Sequence, residues 1–127
     1  MCYSDCDKAG YCVYNEGFRK EGDWAIAYKG AIYENIIADC FSKMARPLYY
    51  YHKESGLEIN FITSVNSEPT LVEVKATTGN TKSSNTILKN KSQYGVNFCI
   101  KLSSNNVGFE NEKLTIPYYM AHLLELN

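Results

Sequence analysis

The chain has 127 residues and a mass of 14.4 kDa, 45% hydrophobic and 21% charged, the composition of one ordinary domain or of a piece of a longer protein. This excludes collagen-like, coiled-coil and disordered chains, and a formal net charge of −1 with a pI near 6.1 excludes nucleic-acid binding through bulk positive charge. No apolar run approaches the ~20 residues of a membrane-spanning helix, and Met1 to Lys8 is polar where a secretory signal is basic and then hydrophobic, so the expectation is a soluble, cytoplasmic protein with no membrane partner.

Residues 1–29 show neither helical nor alternating periodicity and read as an irregular lead-in, a remnant of an upstream region, before a domain over 30–127. Three of the five cysteines, Cys2, Cys6 and Cys12, cluster here with no histidine nearby, since His52 and His122 are remote. Zinc sites usually show two close pairs, so free thiols are expected instead. Gly30 to Ala45 reads as a helix ended by Arg46-Pro47. At about 100° per residue, Tyr33, Ile37, Cys40, Phe41 and Met44 share one arc, and Glu34 lies inside it.

Three strand-like runs follow. Leu48 to His52 and Leu57 to Thr63 are separated by a turn at Glu54-Ser55-Gly56, and Leu71 to Ala76 comes after a turn around Asn66 to Pro69. Strict alternation in the second run places Leu57, Ile59 and Phe61 on one face and Glu58, Asn60 and Ile62 on the other; in the third, Glu73 and Lys75 project together. Thr77 to Asn85 reads as loop and cap, Thr86 to Tyr94 as a helix, and Val96 to Leu102 as a buried strand, the form of a parallel crossover unit. Lys113 to Ile116 reads as a last strand, and Pro117 opens a helix to Leu126.

With the second and third strands as neighbours and the first helix against them, Glu34, Glu58, Asn60, Glu73 and Lys75 converge. Carboxylate and carbonyl oxygens of Glu73, Asn60 and Glu58 are hard ligands suited to a divalent cation, and a lysine beside them can orient a water or stabilise charge. A salt-bridged pair on an exposed strand face is the plainer account of Glu73 and Lys75. From Lys75 through Phe109 there is no Asp or Glu, and Lys82, Lys89 and Lys91 there are the candidate contacts to a phosphate backbone.

The stretches Gly30-Ala31-Ile32-Tyr33-Glu34-Asn35, Glu58-Ile59-Asn60-Phe61, Val72-Glu73-Val74-Lys75 and Ile116-Pro117-Tyr118-Tyr119-Met120 carry a resemblance. In that order the chain resembles the C-terminal domain of unknown function of bacterial and archaeal AAA-type ATPases, itself similar to the PD-(D/E)XK, restriction-endonuclease-like superfamily. The fold class so implied is α/β, with a core of helix, three-strand antiparallel meander, crossover helix and parallel strand, plus a C-terminal strand and helix.

By the resemblance, Glu34, Asn60, Glu73 and Lys75 match the catalytic positions, and Mg2+ or Mn2+ is the implied cofactor. Asn60 stands where the family pattern has an aspartate, and losing that charge weakens a site that must dehydrate a divalent ion. No Gly-x4-Gly-Lys-Ser/Thr occurs, so ATP hydrolysis is not expected of this chain. Three functions follow as expectations: a catalytically impaired nuclease-like module of an ATPase-type protein, with a regulatory or nucleic-acid-contacting role; an active metal-dependent nuclease; or a structural protein-interaction domain. Nucleic acid, an ATPase domain or another protein are the corresponding partners.

Overall fold

A computed structural model of the chain describes residues 29–45, 47–76 and 81–124. The lead-in with Cys2, Cys6 and Cys12 lies outside the described residues, as does most of the loop after the third strand.

Helix α1 spans Lys29–Lys43. The predicted arc faces inward: Ile37 and Phe41 are buried, and Tyr33, Cys40 and Met44 pack against the same core. The helix closes through N–H donations from Met44 and Ala45 to the carbonyls of Phe41 and Ser42, with Ala45 in the left-handed region at φ 55°.

Strand β1 is Tyr49–His52, β2 Glu58–Val65 and β3 Glu68–Val74. Gly56, at φ 85°, shapes the turn from β1 to β2, and Asn66 and Ser67, both at positive φ, make the two-residue turn from β2 to β3. The crossover then breaks into two helices, α2 at Lys82–Lys89 and α3 at Lys91–Tyr94, rather than one from Thr86 to Tyr94. Strand β4 is Phe98–Ser103, β5 Gly108–Glu110 and β6 Lys113–Pro117, followed by a 3-10 helix at Tyr118–Leu123 in place of the longer terminal helix expected.

The six strands form one mixed sheet in the order β1-β2-β3-β4-β6-β5. β1–β2, β2–β3 and β5–β6 are antiparallel, while β3–β4 and β4–β6 are parallel. The protein is therefore of mixed α/β class. Both sheet faces are covered: α1 and the 3-10 helix lie over Val72, Val74, Ile100, Leu102 and Ile116, while α2 lies over Ile59, Leu71 and Cys99. Central strands packed on both faces account for the near-continuous apolar runs of β3 and β4.

One correction to the sequence reading has consequences for the site. Tyr49 pairs with Ile62 but Tyr51 pairs with Ile59, so two steps along β1 match three along β2. This bulge in β2 breaks strict alternation. Ile59 and Ile62 consequently pack together on the α2 face, and Phe61 turns to the α1 face against Phe41, ring centroids 6.4 Å apart. Asn60 sits in the bulge, and its side-chain Oδ1 accepts the Val74 N–H at 2.9 Å just beyond the first backbone pair, Phe61 with Val72.

Candidate functional site

Four of the expected residues gather around the bulged end of β2, with Glu34, Glu58, Asn60 and Lys75 close enough to interact. Glu34 projects from α1, half-buried, toward the bulged end of β2. Burial and then the Glu58 carboxylate push the Glu34 carboxyl above its usual range, opposed by the Lys75 ammonium and a hydrogen bond with Asn60. Tyr50 Oη donates to Glu58 Oε1 at 3.3 Å. Lys75 lies one residue past the end of β3, its N–H bonded to Leu102 O at 2.9 Å and its carbonyl accepting from Tyr118 Oη. Tyr118 in turn stacks on Tyr33 of α1 at 4.2 Å between centroids. The conspicuous Ile116-Pro117-Tyr118 segment thus fixes the backbone at Lys75.

Glu73 lies on the α2 face. It shares the orientation of Leu71, which packs under α2, and is 2% exposed. The Ser84 hydroxyl donates to Glu73 Oε2 at 2.9 Å, and Lys113 Nζ donates to Ser84 Oγ at 2.7 Å, Thr81 Oγ1 at 2.6 Å and Asn85 Oδ1 at 2.8 Å. A buried carboxylate needs such compensation, since an unpaired one costs several kcal/mol. Burial lowers the affinity of Lys113 for its proton, and Cys99 and Glu73 oppose this. Cys99 beneath them is a free thiol pushed up to about 12 by burial and by Glu73.

Residues 29–120 match the family described as a domain of unknown function, DUF4143. The chain belongs to that family. No curated protein and no solved structure matches it. The DUF4143 span begins at α1 and ends inside the 3-10 helix, so it takes in both polar groups, Glu34-Glu58-Asn60 on one face and Glu73-Ser84-Lys113 on the other, with the Lys75 ammonium close enough to act on both Glu34 and Lys113.

The donors in this DUF4143 domain do not fit the expected divalent cation. Asn60 Oδ1 already accepts a backbone N–H, Glu73 is held by Ser84 across the sheet, and among the described residues no three His, Cys, Asp or Glu side chains come together as a metal-binding group. Ser84, Lys113, Tyr50 and Tyr118 were not singled out for these roles from sequence. The link from Lys113 to Ser84 depends on β6 lying beside β4, which local periodicity does not reveal.

Of the three lysines expected at a phosphate backbone, Lys82 and Lys89 are exposed on α2, seven residues and so about 10 Å apart on one stripe. Lys91 is ion-paired with Glu112. Among the described residues no helix is long and apolar enough to cross a membrane.

The raised Glu34 pKa makes stability depend on pH. Its contribution is complete below the ordinary value near 4.5 and is lost as pH rises through the raised folded value. Glu34→Gln is accordingly expected to be more stable than wild type at pH 7 and to lose that advantage below pH ~4. Urea unfolding at the two pH values checks this; an advantage of the same size at both would contradict it.

Proposed function

We propose that this DUF4143 domain is a nuclease-like module that has lost metal-dependent hydrolysis and acts as a regulatory or nucleic-acid-contacting C-terminal module of an AAA-type ATPase protein. The carrying observation is the division of the expected acids by the sheet: Glu73 is bonded to Ser84 under α2 while Glu34, Glu58 and Asn60 lie toward α1. The order of elements supports the likeness to restriction-endonuclease-like folds, with α1 against an antiparallel β1–β3 meander and a helical crossover into parallel β4. A contacting role draws on Lys82 and Lys89, exposed on α2.

Incubation with supercoiled and single-stranded DNA at millimolar Mg2+ or Mn2+ is expected to give no cleavage, and titration with Mn2+ no saturable heat. Asn60→Asp, which restores a charge without freeing Glu73, is expected to remain inactive. Lys82→Ala with Lys89→Ala should weaken DNA binding at low salt and reduce the magnitude of the salt slope by roughly 2. Metal-dependent cleavage by wild type that disappears in Glu73→Gln would establish the active-nuclease alternative. If wild type does not bind DNA at low salt, Lys82 and Lys89 are only a solvated face and the nucleic-acid-contacting role falls.

A further inference from the structure

Beside the Glu73-Ser84-Lys113 relay, the start of α2 and strands β4, β5 and β6 enclose a cleft of ≈ 450 Å³. Strand register decides which side chains face it. Lys101 stands opposite Glu73 on one side and Thr115 on the other, and Lys113 stands opposite Cys99 and Glu110, so these groups share the α2 face of the sheet. Phe109 pairs with Leu114 and stacks its ring on Phe98, both packed against the core under α1, so its ring is turned to the opposite face. With that ring turned away and Gly108 carrying no side chain, every side chain left to line the cleft is polar.

Lys113 sets the polarity of its neighbours. Its Nζ donates to Thr81 Oγ1 at 2.6 Å and Asn85 Oδ1 at 2.8 Å, with the third bond going to Ser84. An ammonium has three donors and no acceptor, so all three are spent here and the partners must turn their oxygens toward it. The Asn85 amide N–H groups are thereby left for the cleft, and the Thr81 hydroxyl, accepting from Lys113, keeps its own proton to donate. Among the described residues neither the Thr115 hydroxyl nor the Lys101 ammonium makes a hydrogen bond or ion pair. Three elements, α2, β4 and β6, therefore bring unspent donors to one space.

Charge points the same way. Lys75 and Lys101 both lie close enough to Lys113 for their ammonium groups to weaken its hold on its proton. Of the two carboxylates nearby, Glu73 is buried and engaged by Ser84, and Glu110 is exposed on the β5 side, so the three cations leave the cleft with an excess of positive charge. Lysine is a point charge rather than a planar fork, and donors arriving from three elements suit a tetrahedral phosphate better than a flat carboxylate. The volume falls in the range of small-molecule pockets and is more than a bare ion fills. Glu110 and Asn111, exposed at the mouth, supply acceptors for hydroxyl groups.

We propose that this cleft binds a small phosphorylated polyol, with its phosphate held by Lys101, Thr81, Asn85 and Thr115 beside the Lys113 ammonium and its hydroxyls toward Glu110 and Asn111. None of Glu34, Glu58 and Asn60 lines the cleft, so the site goes beyond the nuclease-like reading and stands whether or not that reading holds.

Calorimetric titration of the full chain at low salt with glycerol 3-phosphate, ribose 5-phosphate and glucose 6-phosphate tests the proposal, beside the three parent polyols, inorganic phosphate and a 5′-phosphorylated oligothymidylate. Saturable binding of at least one phosphorylated polyol is expected, with its parent at least ~10-fold weaker, because charge-assisted hydrogen bonds are the strong ones. Lys101→Gln should weaken that binding by ~10-fold and Thr115→Val by ~3-fold, the ranges for losing a charged and a neutral hydrogen bond. Neither side chain ties the fold together by a hydrogen bond among the described residues, and unchanged thermal midpoints in the two variants confirm that folding is intact. The proposal is overturned if none of the three phosphorylated polyols saturates at millimolar concentration, if a parent polyol binds as well, or if Lys101→Gln binds like wild type. Inorganic phosphate binding as tightly would make the free ion the ligand, and tighter binding of the oligothymidylate would make it a strand end; either result overturns a polyol.

Discussion

Lys113→Met is expected to destabilise the fold by about 3 kcal/mol, measured by urea unfolding at pH 7. The substitution keeps most of the aliphatic stem and removes the ammonium. Three hydrogen bonds go with it, to Thr81, Ser84 and Asn85, and they are the polar ties between β6 and the start of α2. More costly is what is left behind: Glu73, 2% exposed, keeps the Ser84 hydroxyl but loses the cation behind it. A buried charge without compensation loses more than the pair gains when intact. Adding Glu73→Gln should therefore recover part of the loss, since the amide carbonyl still accepts from Ser84 and carries no charge. The double-mutant cycle is predicted to show a coupling of at least about 1 kcal/mol. Strict additivity of the two changes, or a Lys113→Met protein as stable as wild type, would remove the relay as a stabilising element.

The same relay marks where local sequence pattern stops being informative. The inward arc of α1 follows from residue spacing alone, because a single helix needs one apolar stripe and Ile37 and Phe41 supply it. The strands β1 to β3, the parallel crossover into β4 and the strand at Lys113 were legible for a similar reason, each being an apolar or alternating run closed by turn residues. β5 was not, since its three residues Gly108–Glu110 are all exposed and its turn, Asn111-Glu112, lacks the glycine that usually announces a two-residue hairpin.

Helix α2 begins at Lys82, four residues before the expected Thr86, for a chemical reason. Thr81 looks like part of a polar loop, and at the N-cap its hydroxyl makes no capping bond, being given to Lys113 instead. In β2 the one-residue bulge reverses which apolar side chains share a face, and nothing in Glu58-Ile59-Asn60-Phe61 specifies that extra step. For the candidate site, the gathering of Glu34, Glu58, Asn60 and Lys75 follows from helix and strand order. Pairing Glu73 with Lys75 assumed an open strand face, whereas Glu73 is buried under α2 and bonded to Ser84.

Phe41→Ala is expected to cost about 3–5 kcal/mol, a large share of the 5–15 kcal/mol typical of a domain. Phe41 is 0% exposed and lies among Ile37, Val72, Val74, Ile100 and Leu102, edge-on to Phe61. Its removal leaves a cavity under the middle of α1, where close-packed strands cannot collapse to fill it. Ile36, on the same helix but 55% exposed, provides the control, and Ile36→Ala should stay within ~0.5 kcal/mol of wild type. The consequence reaches the site, because α1 carries Glu34 and is held to the sheet chiefly by this core. With the helix loosened, Glu34 regains water and its carboxyl should titrate closer to the ordinary value near 4.5, whereas Ile36→Ala leaves it raised. Carboxyl titration by NMR beside urea unfolding reads both effects. A Phe41→Ala loss below about 1 kcal/mol would mean that α1 is positioned by something other than this contact.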